Sequence, residues 1–184
     1  MSKISEIISN LPSKDKELLD CLIKVKEYKK NELIFSQSAP DDRIFYVANG
    51  LLRKYILKNE KEKTLDFYFT DEIYFPQILI ENKKANCVLQ ALEKSSVFIL
   101  DNFEFEKIKS ESVSLLKLEN TILEYAFAQT NERLQQFQTM NATERYLNLL
   151  DRNPIIVQRI SLTYISSYLG INNASLSKIR GAIK

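Results

Sequence analysis

The chain has 184 residues, is 45% hydrophobic and 27% charged, and carries a net charge of +2; that length can bury one moderate domain and a small one. It contains no histidine, which excludes His-based catalysis, His-ligated zinc and His-ligated haem. Cys21 and Cys87 sit in no metal spacing, no Gly-rich phosphate loop is present, and no run approaches the roughly 18 apolar residues of a membrane span, so we expect a cytoplasmic non-enzyme with reduced thiols, no cofactor and no membrane partner.

The first elements are short helices between Ile4 and Leu22, separated by Pro12, with Ser13 as the expected cap of the second. From Ile23 to about Leu100 the period changes. Apolar residues alternate or run in short blocks, such as "IFYVANG", "LLRKYILK" and "SVFIL", rich in β-branched and aromatic residues and separated by polar clusters. This spacing predicts a β-sandwich or small barrel. "YILKNEKEKTLDFYF" reads as a hairpin with a charged tip at Lys58 to Lys63, and Gly50 supplies a tight reversal.

From Asn102, expected to cap a short helix through Lys109, the pattern is helical. "SVSLLKLENTILEYAFAQTNERLQQFQTM" contains no Gly or Pro and spans on the order of 40 Å as a helix. It carries two apolar stripes. Leu115, Leu118, Ile122 and Tyr125 form one, expected to pair with a second copy; Leu116, Leu123, Phe127, Leu134 and Phe137 form the neighbouring one, so that one stripe can cover the β domain while the other meets a partner helix. The alternative is that both stripes pack within one chain. A further helix covers Ala142 to Asp151, and Pro154 restarts the chain after it.

The closing segment reads as a helix-turn-helix. Gly170 marks the turn; Ile165 and Leu169 before it and Ile171, Leu176 and Ile179 after it are apolar, Ser166 is small where two helices must cross, and Asn172 can cap a helix starting at Asn173. From Asn141 onward the net charge is +4 against −2 for the rest, and no acid occurs after Ile160. Short polar and basic side chains on the outward face suit a DNA major groove: Asn173, Ser175, Ser177 and Lys178 toward bases, with Thr163, Arg180 and Lys184 toward phosphates. The alternative is a helical hairpin with a solvated face.

A β domain, a long helix and a C-terminal helix-turn-helix together resemble the Crp/Fnr superfamily of bacterial transcription regulators. The likeness is strongest in "NATERYLNLLDRNPIIVQRISLTYISSYLGINNASLSKIR", similar to members common in Bacteroidetes. The resemblance implies an α+β fold. Residues 1–110 would form a cyclic-nucleotide-binding-like jelly-roll sensor, 111–140 a dimerisation helix, and 141–184 a winged-helix-like helix-turn-helix domain. It implies a homodimer on double-stranded DNA, with RNA polymerase as a further partner. It also implies a pocket built on a Gly-Glu pair and an Arg. Here Glu72 is matched to the acid, Asp71 stands for the Gly, and Lys83 and Lys84 are the bases nearest the missing Arg, at about Ala85. Thr130 and Asn131 match the position from which the family's cyclic-AMP sensor presents hydroxyls to adenine. The pocket is therefore expected to be degenerate; the alternative is an effector site for a cyclic nucleotide or other small anion. Two structural glycines of the barrel are matched to Asn31 and Ser38, and the family's Arg-Glu of the recognition helix to Asn173 and Ala174.

Overall fold

The computed structural model describes residues 3–36, 42–76 and 87–183. Two short helices, α1 (Lys3–Ser9) and α2 (Ser13–Leu22), precede strands β1 (Lys24–Tyr28), β2 (Leu33–Phe35), β3 (Ile44–Asn49), β4 (Leu51–Lys58), β5 (Lys61–Phe69), β6 (Ile73–Tyr74), β7 (Val88–Ala91) and β8 (Ser95–Leu100). Helices α3 (Asn102–Lys109), α4 (Val113–Thr139), α5 (Ala142–Arg152), α6 (Ile156–Arg159), α7 (Leu162–Leu169) and α8 (Asn173–Ile183) follow. Two expected caps move by one residue. Pro12, not Ser13, precedes α2, because a fixed φ near −65° suits a helix start without a side-chain acceptor. Asp101, not Asn102, caps α3, its carboxylate accepting from Glu104 N–H at 3.3 Å.

The strands form two four-stranded sheets, ordered β1-β8-β3-β6 and β2-β7-β4-β5, the sandwich that the alternating pattern predicts. Phe35, Phe45 and Tyr74 meet between the sheets with ring centroids 5.5 to 5.9 Å apart. Gly50 joins β3 to β4 at φ 113°, and a Cβ there would lie 2.3 Å from Ser95 Oγ, so neither the conformation nor the space admits a side chain. Asn31, matched to a barrel glycine, holds φ 69°, which Asn tolerates through its short polar side chain; Ser38 lies outside the described residues. The hairpin between β4 and β5 turns on two residues, Asn59 and Glu60, at φ 51° and 61°, the left-handed pair that a two-residue hairpin demands.

The outer face of the first sheet is covered by helices. Ile44 and Ile73 join Leu11, Leu19, Phe105, Leu115, Leu118 and Ile122 in one buried cluster. This corrects the expected dimer stripe. Leu115, Leu118 and Ile122 are at most 4% exposed and face the sheet, and Tyr125 packs at their edge; a sheet with a second apolar face has to be covered by its own chain. The neighbouring stripe is the open one: Phe127 is 69% exposed and Leu134 55%. Ser112 fixes the start of α4, donating to the buried Asp15 at 2.7 Å and accepting from Leu115 N–H at 3.3 Å.

The chain divides into two compact units, Met1–Lys54 with Phe67–Ala128, and Tyr55–Asp66 with Gln129–Lys184. The hairpin tip thus belongs with the C-terminal helices, where Thr64 N–H donates to Ser167 Oγ at 3.0 Å. Among the described residues from Gln129 onward every regular element is a helix.

Candidate nucleic-acid interface

An Asn141–Glu144 capping box separates α5 from α4: the Asn141 side chain accepts from Thr143 and Glu144 N–H at 2.9 and 3.1 Å, and Glu144 accepts from Asn141 N–H at 2.7 Å. Tyr146, Leu149, Ile156, Ile160, Ile165, Tyr168, Leu169 and Leu176 are buried and make the core of this unit.

Helix α7 is capped by Ser161, which accepts from Tyr164 N–H at 3.3 Å. It ends at Gly170 in the left-handed conformation, φ 72°. Ile171 N–H then reaches Ser166 O at 3.0 Å and Gly170 N–H reaches Ser167 O at 3.2 Å, a Schellman end. Only three residues separate the helices, and Asn172 caps α8 as expected, accepting from Ser175 N–H at 2.8 Å. Ser166 is buried at the crossing and donates to Asn173 Oδ1 at 2.5 Å, while Asn173 Nδ2 donates to Thr163 Oγ1 at 3.3 Å. Asn173, expected to address a base, therefore has its amide engaged in locking the two helices together.

Of the other expected contacts, Thr163, Ser177 and Lys178 are exposed, and Ser175 and Arg180 are half-buried; Lys184 lies outside the described residues. The exposed face of α8 carries no carboxylate, and its first turn is the positive end of the helix dipole. That surface can accept a polyanion closely and donate hydrogen bonds to it.

Two arginines that the sequence reading left unassigned tie α7 to the end of α4. Arg133 stacks on Tyr168, 3.5 Å from the ring centroid, and donates to Tyr168 O. Arg145 donates to Met140 O at 2.6 Å and Leu169 O at 3.0 Å. Both guanidiniums flank the Phe137 ring, at 4.4 and 4.8 Å, and both cations face the negative end of α7. Burial pushes the Arg133 pKa down, and the neighbouring Arg145 charge adds to this. The only sequence signal for these roles is a basic residue four or eight positions from an aromatic, which is too common to be specific.

Of the expected effector residues, Glu72 belongs to the first unit and Thr130 and Asn131 to the second. Asp71 forms the turn between β5 and β6 at φ 69°, its N–H bonded to Val47 O at 2.9 Å and its carboxylate accepting from the Tyr46 hydroxyl at 2.5 Å. Glu72, matched to the ribose acceptor, instead folds onto this turn and accepts from Phe69 N–H at 2.9 Å. The glycine matched to Asp71 is thus replaced at a position that needs a left-handed turn, which Asp adopts more readily than most residues. Thr130 and Asn131 are exposed on α4 in the other unit; Lys83, Lys84 and Ala85 lie outside the described residues. Among the described residues no cluster of acids and cysteines could hold a metal ion.

A sandwich of this topology, followed by a long helix and a short helical pair, has relatives. Residues 25–112 match the cyclic nucleotide-binding domain family. The whole chain is similar to solved transcription regulators. A crp/fnr-family regulator from Eubacterium rectale ATCC 33656 superimposes with TM-score 0.74 at 17% identity, over 97% of this chain and 86% of that one. FixK2 from Bradyrhizobium japonicum gives TM-score 0.73 at 18% identity, over 88% and 84%. The c-di-GMP-responsive regulator CLP of Xanthomonas campestris gives 0.72 at 13%, over 94% and 91%. No curated protein sequence matches the chain. The fold is therefore α+β of the Crp/Fnr type, with an N-terminal cyclic-nucleotide-binding-like sandwich and a long helix. Among the described residues no helix is long and apolar enough to cross a membrane.

Proposed function

We propose that this chain is a cytoplasmic, sequence-specific DNA-binding transcription regulator that works as a homodimer, with RNA polymerase as a further partner. The observation that carries this reading is the acid-free outward face of α8, rigidly set by the Gly170 turn and the Ser166–Asn173 lock, in a fold shared with transcription regulators. In this reading residues 1–110 are a sensor, 111–140 the pairing helix and 141–184 the reader, whose C-terminal domain is of the kind common in Bacteroidetes members. Ser177 and Lys178 address base edges with Ser175 beside them, Thr163 and Arg180 hold phosphates, and Lys184 extends the basic flank. Asn173 serves first as the brace that sets the angle of α8.

The pairing surface is the open stripe of α4. Leu116, Asn120, Leu123, Phe127, Thr130, Leu134 and Phe137 recur at alternating intervals of four and three, the seam of a two-stranded coiled coil. Asn120 and Thr130 are its polar positions, and a polar residue in such a seam fixes register at some cost in stability. Two copies joined this way would present two α8 helices to one duplex.

The experiment is fluorescence anisotropy with a promoter fragment bound by the chain, measured across salt. Specific affinity that falls steeply with salt and drops tenfold or more in Lys178→Ala supports the reading; unchanged affinity in that variant contradicts the assignment of α8.

We further propose that the sandwich pocket is degenerate as a cyclic-nucleotide site. The engagement of Glu72 with Phe69 N–H supports this. The match to the cyclic nucleotide-binding domain favours the second reading, a regulator gated by such a ligand. Calorimetry with cyclic AMP and cyclic GMP separates them: degeneracy predicts no heat from either.

A further inference from the structure

The helices that cover the outer face of the first sheet do not fill the space beneath them. Leu19, Ile44, Ile73, Phe105, Leu118 and Ile122 are all buried, yet they surround a half-enclosed cavity of about 270 Å³. An apolar cavity of roughly half that volume already holds a benzene molecule in a protein interior. Water in a pocket lined this way lies against apolar surface, so an occupant of matching character is favoured over it. The Tyr46 and Phe98 rings, with centroids 5.9 Å apart, add a flat wall on the sheet side.

The cavity is separate from the interior of the sandwich. Along β3, Ile44 and Tyr46 face the helices, while Phe45 and Val47 point between the sheets and are fully buried there. Its mouth, at α1 and α2, carries Ser9, Lys16 and Asp20. Lys16 and Asp20 are four residues apart on α2, both exposed, with opposite charges. The mouth therefore offers hydrogen-bonding groups with no net charge.

We infer that this cavity binds a small amphiphile with an apolar body, roughly twice the size of benzene or an equivalent acyl chain, and an uncharged polar end held at Ser9, Lys16 and Asp20. The body lies against Leu118 and Ile122 of α4, so this second site touches the helix that also carries the pairing stripe. It goes beyond the DNA-binding reading and is independent of any cyclic nucleotide.

Isothermal titration of the full chain with 1-decanol and with decanoate tests the inference. Decanol is expected to bind one-to-one, and decanoate at least tenfold more weakly. Ile122→Phe fills the cavity, so it should abolish decanol binding while its Tm holds or rises. Asp20→Lys, which reverses the charge on the exposed rim, should bring decanoate to parity with decanol or better. Absence of decanol binding, or tighter binding of decanoate by the natural chain, would overturn the inference. So would undiminished decanol binding by Ile122→Phe, or no gain for decanoate in Asp20→Lys.

Discussion

Helix α4 carries two apolar stripes of nearly the same composition, and they have opposite fates. Leu115, Leu118 and Ile122 are sealed against the outer face of a sheet, whereas Leu116, Phe127, Leu134 and Phe137 are exposed. Composition does not separate them, since both are rows of aliphatic and aromatic residues. What separates them is the sheet: β3 and β8 carry apolar side chains on both faces, and the outward one needs a cover. The helix supplies that cover with the stripe at its N-terminal half, and the other stripe runs on for a further four turns beyond it.

The largest expected effect comes from the sealed stripe. Leu118→Ala should cost about 2–5 kcal/mol of stability, read by chemical denaturation, because it leaves a hole between sheet and helix. The paired change Phe127→Asp with Leu134→Asp should do the reverse. The monomer's stability should move by no more than about 0.5 kcal/mol at each site, while sedimentation shows the dimer lost. If the double variant unfolds and stays dimeric on refolding, the two stripes have been assigned the wrong way round. Lys178→Ala, far from both stripes, should leave folding and dimerisation intact and weaken DNA binding by about 1–3 kcal/mol.

The smallest effect lies on the sealed side. Burial, and then the hydrogen bond and charge of Asp71, raise the Tyr46 pKa to about 12 from an ordinary 10.0. The folded state thus holds this proton more tightly than the unfolded one. The resulting stabilisation is complete below pH 10 and is lost as pH rises from 10 through 12. An ultraviolet titration should show a tyrosine step near pH 12, and Tyr46→Phe should remove its contribution to that step.

Much of this was legible in the sequence, for local reasons. The Gly170 turn, the Asn172 cap and the small Ser166 at the crossing each follow from what a three-residue turn between helices requires, and each is present. The sandwich was legible from its period. The use of Asp71 and Glu72 was not, because a carboxylate at a β-turn and one at a ligand site read alike until the backbone angle is known. The Arg133 and Arg145 clamp on α7 joins residues 35 and 24 positions apart, by bonds to carbonyls that every residue owns. That one stripe of α4 covers the β domain was legible; which stripe does so was not, because it depends on which face of a sheet is left open, a property of tertiary structure.

The most direct test is selection of bound sequences from a random duplex library by the full chain. Two α8 helices set by one coiled-coil seam predict enrichment of a two-fold symmetric motif, with half-sites about one helical turn apart, and its loss when Phe127 and Leu134 are both changed to Asp. Enrichment of an asymmetric single site that survives that double change, or no enrichment at all, would contradict the account.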